Sequence, residues 1–122
     1  MELDKRNSRL RLRRACLLHR HRTLVVPSRW AEPFGLVALE GIACGCVVVG
    51  SDRGGLPEAI GPCGVTFPSG QADALADRLR ELLLPGKDFR EWQNNAEAHL
   101  APHRAPAVAA RYLEVFAEAL GR

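Results

Sequence analysis

Three short apolar runs, set apart by helix-forming stretches, limit what this chain can fold into. TLVVP (23–27) is β-branched and stopped by proline, CVVVG (46–50) is a second run, and GVTF (64–67) is a third. Strand-sized runs alternating with helical patterns predict an α/β fold, with an open parallel sheet and right-handed crossovers. Between the first two runs, Leu36, Leu39, Glu40 and Ala43 recur at helical spacing, and Gly45 follows as a stop. Pro33 suits the first position of that helix, where a missing N–H costs nothing. SDRGG (51–55) reads as a loop and LPEAI (56–60) as a helical turn. Further on, Ala72, Leu75, Ala76, Leu79, Leu82 and Leu83 form one helical stripe that Pro85-Gly86 ends. A polar helix is expected over Asp88–Leu100. A last helix carries Val108, Tyr112, Val115, Phe116, Ala119 and Leu120 on one stripe.

At 122 residues the chain has room for one small domain. No apolar run approaches the roughly 18 residues of a membrane span. Met1 leads into charged residues with no apolar core behind them, so no signal peptide is expected. Cys16, Cys44, Cys46 and Cys63 then read as reduced thiols of a cytoplasmic protein. Cys44 and Cys46 straddle a helix end and a strand start, closer together than zinc-binding pairs usually are, and no metal is expected. His19, His21, His99 and His103 lie in a basic run or beside a proline break and read as surface residues.

Charge divides the chain. Residues 1–22 hold Lys5, Arg6, Arg9, Arg11, Arg13, Arg14, Arg20 and Arg22 against Glu2 and Asp4, a net of +6, while the remainder carries −3. The run lacks interleaved aromatics and matches no nucleic-acid recognition motif, so no nucleic-acid partner is expected. It reads as a solvated, weakly helical lead-in (1–21) ahead of the domain proper (22–122). The alternative is a weak contact with an anionic membrane surface, which would place the protein at the inner face of the membrane.

EPFGLVALEGIACG (32–45) places Glu32 and Glu40 around the start of the first crossover helix. In an open parallel sheet, ligands sit beyond the carboxyl ends of the strands. There the free N–H groups near Gly35 and Leu36 make an anion site. Gly35 leaves no side chain in a phosphate's path. Glu40, one turn beyond Leu36, can accept two hydrogen bonds from a sugar diol. Glu32 can meet whatever the far phosphate carries. The pattern fits a nucleoside diphosphate bearing a further group. Two plainer readings stand beside it: the helix dipole alone favours a glutamate near a helix start, and a glutamate within a helix is commonly only solvated.

The surroundings add a resemblance. Pro27-Ser28, Glu32-Pro33-Phe34-Gly35, Glu40, Gly45, Val47–Val49, Gly54-Gly55-Leu56-Pro57-Glu58 and Phe67-Pro68-Ser69-Gly70 follow in order. Together they resemble the donor-binding half of GT-B glycosyltransferases, especially glycosyltransferase family 4 (glycosyl transferases group 1). The resemblance covers roughly residues 22–84. It implies a Rossmann-like, partial carboxyl-terminal GT-B domain and a retaining transfer of sugar from a UDP- or GDP-linked donor. It implies no cofactor and no required metal, since the nucleotide sugar is a substrate. Carried over by residue, Glu40 binds ribose and the Gly35 and Leu36 backbone holds the diphosphate. Glu32, with Phe34, lies against the transferred sugar as a positioning and candidate catalytic group. Ser28, Gly54 and Gly55 complete the donor-binding set, although a plain turn also explains the two glycines.

The family's amino-terminal acceptor domain, and the donor-domain Arg and Lys that face the diphosphate, have no counterpart in the matched stretch. The expectation is therefore a carboxyl-terminal piece, inactive alone, that works with an upstream acceptor-domain chain or self-associates along the strand at 23–27. The alternative function is an inactive remnant, or the half of a split enzyme, that binds nucleotide weakly.

Overall fold

The computed structural model describes residues 2–121, with side chains from Ser8 onward. The side chains of Glu2, Asp4, Lys5 and Arg6 in the basic run lie outside the described residues. In chain order the elements are α1 (Glu2–His19), β1 (Thr23–Val26), α2 (Leu36–Ala43), β2 (Val47–Ser51), α3 (Leu56–Ile60) and, after a 3-10 turn, β3 (Gly64–Phe67). Then come α4 (Ala72–Leu82), α5 (Arg90–Asn94), α6 (Ala96–Leu100), a second 3-10 turn and α7 (Ala105–Ala119). The strands form one parallel sheet in the order β1-β2-β3, with Val25 opposite Val49 and Val49 opposite Val65.

β2 is the central strand, and each of its five residues is buried. Its run of valines needs cover on both faces, as parallel sheets do. Alternation sends Val48 to one face, where it meets Val26, Ala38, Ile42, Leu56 and Ile60. Val47 and Val49 go to the other and meet Phe67, Leu82 and Phe89. On the first face α2 lies close to β1: a Cβ on Gly41 would run into the Leu24 side chain.

Four expectations change. The polar helix over Asp88–Leu100 is two short helices, and Phe89 just before them is 3% exposed. Flanked by charged residues, Phe89 is hidden in a polar stretch, but with Trp92 packed edge-on against it at 5.8 Å it closes the second face of the sheet. Leu83 lies past the end of α4 and is exposed. The lead-in is not wholly solvated: in α1 Leu18 is buried and Ala15 half-buried, while Leu12 and Cys16 are exposed. His99 is no simple surface residue, because its Nε2 donates to the Ala59 carbonyl at 2.6 Å and its ring fills the space beside Gly61.

The end of the lead-in is built into the domain. The buried Cys46 thiol lies 3.3 Å from both the Leu18 and His21 carbonyls, either of which can accept its hydrogen. Arg22 donates to the Lys87 carbonyl at 3.1 Å, and its guanidinium sits 4.4 Å over the Phe89 ring. Among the described residues no strand pairs with the outer edge of β1, and the apolar stripe of α7 is largely uncovered, with Tyr112, Val115 and Phe116 all more than half exposed.

Burial pushes up the thiols of Cys44, Cys46 and Cys63; the charge of Glu40 adds to this at Cys44, and Cys44 adds to it at Cys46. A raised thiol pKa contributes stability that is complete below the unfolded value, about 8.5. That contribution is lost as pH rises through the folded values. The melting temperature is therefore expected to hold from pH 7 to about 8.5 and then fall. Cys46→Ala should remove part of the fall, and the exposed Cys16 should alkylate well before Cys46 and Cys63. A flat alkaline profile, or equal alkylation rates, would contradict this.

Candidate functional site

The carboxyl ends of the three strands feed loops that lock onto one another. After β1, Ser28 is 6% exposed, and its hydroxyl donates to Glu32 Oε1 at 2.5 Å. After β2, the Gly55 N–H donates to the Glu32 carbonyl at 2.5 Å. Gly54, in the left-handed region at φ +60°, and Gly55 both press their bare faces on this loop. A Cβ on Gly54 would collide with the Glu32 backbone, and one on Gly55 with the Pro33 carbonyl. After β3, the Ser69 hydroxyl donates to the Ser28 carbonyl at 3.1 Å, and the Ser69 N–H donates to Asp52 Oδ1 at 2.9 Å. Ser28, Glu32, Gly54 and Gly55 thus meet at one edge, and the two glycines are required by close approach rather than by a turn alone.

Two expectations about the helix start are corrected. Pro33 is not its first residue. Gly35 at φ +67° caps the helix in the left-handed region, and α2 begins at Leu36. That bend separates Pro33 and Phe34 from the helical backbone. Nor does the smallness of Gly35 open a path for phosphate on its Cβ side. A Cβ there would lie 3.0 Å from both Ala59 Cβ and Leu56 Cδ2, so the glycine lets α3 pack against the loop. The donors survive this correction. Ala38 and Leu39 are the first amides to bond back, both to the Gly35 carbonyl, at 3.0 and 3.4 Å. The Leu36 and Val37 amides precede them, and the positive end of the helix dipole lies there.

Phe34 is 80% exposed beside these amides. With Leu36 and Leu39 it forms one wall of a groove of about 580 Å³, whose far wall is Val108, Tyr112 and Val115 of α7.

Glu40 stands apart from the loop cluster, one turn along α2, and it is not free. Arg14 of α1 donates through one nitrogen to both carboxylate oxygens, at 3.3 and 3.0 Å. The pair borders a cleft of about 240 Å³ between α1 and α2, lined by Arg11, Arg14, Leu18, Glu40, Ala43 and Cys44. Sequence reasoning passed over Arg14, Asp52 and Ser69. Arg11, Arg14, Ala15 and Leu18 do follow helical spacing, so a charged stripe continuous with an apolar one was the available signal. Asp52 and Ser69 carry no such signal, because only the parallel register brings the two loops side by side.

Known proteins share this arrangement in part. The chain is 41% identical over 100 residues to D-inositol 3-phosphate glycosyltransferase of Thermobispora bispora, covering 80% of this chain and 23% of that protein. The structure resembles sucrose-phosphate synthase from Thermosynechococcus elongatus with a TM-score of 0.66 and 33% identity, over 82% of this chain and 26% of that one. It also resembles Anabaena Alr3699/HepE, solved with UDP and with UDP-glucose, at a TM-score of 0.66 and 27% identity over 86% of this chain. The chain spans about a quarter of the length of these proteins. Residues 14–99 match the family model of glycosyl transferases group 1, and that span holds Arg14, Ser28, Glu32, Gly35, Glu40, Asp52, Gly54, Gly55 and Ser69. The fold is that of part of a GT-B domain, and the chain belongs to the glycosyl transferases group 1.

Proposed function

We propose that this chain binds a nucleotide-sugar donor, UDP- or GDP-linked, at the carboxyl edge of its sheet, and that it serves a retaining glycosyl transfer. One observation carries the reading. The amides of Leu36 and Val37, which precede the first helical hydrogen bonds of α2, fall in the chain between two carboxylates, Glu32 held by the strand-end loops and Glu40 one turn along α2. A diphosphate suits the amides and the dipole, since a carboxylate would be repelled by it. Glu40 takes the ribose diol, and Glu32 with Phe34 faces the transferred sugar. Ser28, Gly54 and Gly55 set the position of Glu32. The helix start meets the diphosphate charge without a metal ion. UDP and UDP-glucose bound to Alr3699/HepE support a donor of this class.

The ion pair between Arg14 and Glu40 favours a second reading of the isolated chain, as a weak nucleotide binder that depends on a partner. The open β1 edge and the α7 stripe offer surfaces for such a partner, either an upstream acceptor-domain chain or a second copy. Contact with an anionic membrane remains a proposal for the exposed arginines of α1. Among the described residues no helix is long and apolar enough to cross a membrane.

Titration of the chain with UDP, UDP-glucose and GDP, followed by amide shifts, tests the donor reading. Saturable shifts at Leu36 and Val37 that survive a chelator are expected. Silence at those amides, or binding abolished by the chelator, would refute it.

A further inference from the structure

Glu32 is held more firmly than its place in a loop requires, and part of that hold comes from the far side of the sheet. Ser28 aims the carboxylate through a short, charge-assisted hydrogen bond. The Ser28 backbone lies in the irregular chain after β1, where nothing in the strand ladder fixes it. Ser69, from the turn after β3, ties it down through its hydroxyl, which donates to the Ser28 carbonyl at 3.1 Å. That turn is anchored in its own right. The Ser69 N–H donates to Asp52 Oδ1 at 2.9 Å, and the Asp52 N–H donates to the Phe67 carbonyl at 3.0 Å. The two hydroxyls therefore run in series: Ser69 to the Ser28 carbonyl, then Ser28 to Glu32.

We propose that Ser69, anchored by Asp52, is a positioning residue that sets how well the site distinguishes a sugar-bearing nucleotide from a bare one. The inference rests on the reading in which Glu32 faces the transferred sugar. Glu40 and the α2 amides lie outside this series, so the affinity for the nucleotide itself is independent of Ser69. The grip on the sugar is not.

The test uses the full 122-residue chain and the ratio of its Kd for UDP to its Kd for UDP-glucose. Ser69→Ala is expected to lower that ratio by roughly two- to fivefold, the scale of one hydrogen bond, with the Kd for UDP unchanged and the melting temperature lowered by less than about 10 °C. Ser69→Thr keeps the hydroxyl and should restore the ratio. Asp52→Ala should lower it in the same direction. In a Glu32→Ala background, Ser69→Ala should have no further effect, which a merely structural role would not predict. A ratio that stays at the wild-type value in Ser69→Ala but falls in Glu32→Ala overturns the positioning role and leaves the donor reading intact. A ratio insensitive to Glu32→Ala, or a wild type that binds the two ligands equally, overturns the donor reading and the inference with it. Equal weakening of both ligands by Ser69→Ala shows general loosening and also overturns the inference.

Discussion

Glu40→Ala is expected to weaken UDP binding by roughly ten- to a hundredfold, while Arg14→Ala strengthens it by up to about fivefold. The first figure is the net scale of one hydrogen bond between a charged acceptor and a diol, about 1.5–3 kcal/mol, the other bond to the diol being offset by the displaced Arg14 pair and by water. The second follows from competition. With the ribose diol on Glu40, as proposed, Arg14 and the diol compete for the same carboxylate oxygens, and the ligand has to displace a salt bridge to bind. Both partners are partly in water, with side chains 54% and 32% exposed, and such pairs contribute about 0–1 kcal/mol. Salt should act in the same direction as Arg14→Ala on this contact, because it screens the exposed pair. Titration calorimetry on the two single variants and the double variant decides the matter. In the double variant the gain from Arg14→Ala should disappear, since its target carboxylate is gone. If Arg14→Ala weakens UDP binding instead, the arginine serves the phosphate charge, and the competition described here is wrong.

Gly54→Ala is expected to cost about 2–4 kcal/mol and to lower the melting temperature by about ten degrees or more. Two effects combine. At φ +60° an L-residue is strained, and the added Cβ would enter the Glu32 backbone, which cannot swing aside as a flexible side chain could. Gly70→Ala is the matched control: φ is +80°, but no heavy atom lies within 4 Å of a Cβ built there, so only the backbone strain of about 1–2 kcal/mol remains. Gly55→Ala adds the complementary case. Its φ of −83° suits any residue, so its cost comes from the Pro33 carbonyl alone. Variants that still fold should bind UDP-glucose no better than UDP, because the shifted loop carries Glu32 with it. Equal thermal losses for Gly54→Ala and Gly70→Ala would show that the loop contact has no energetic weight.

Much of this architecture can be read from the chain alone, because short-range chemistry governs it. β-branched runs at 23–26, 47–49 and 64–67 become the three strands. The periodic stretch after Ala72 becomes α4, and Gly45 follows the end of α2 at φ +88°. The spacing of Glu32, Gly35 and Glu40 marks the edge where a ligand would sit, since helix starts and strand ends obey the same local rules in any parallel sheet. Three matters depend on residues far apart in sequence, and only the tertiary structure decides them. Gly35 is small because Leu56 and Ala59 of α3 press on it, which no local pattern reveals. Phe89 belongs to the core because the far face of β2 needs covering, although its neighbours in sequence are charged. Glu40 has a partner because α1 docks Leu18 beside Cys46 and thereby carries Arg14 to α2, 26 positions away in the chain. Periodicity gives each element its apolar face. Which elements then meet depends on how that buried area is shared, and this is a property of the whole fold.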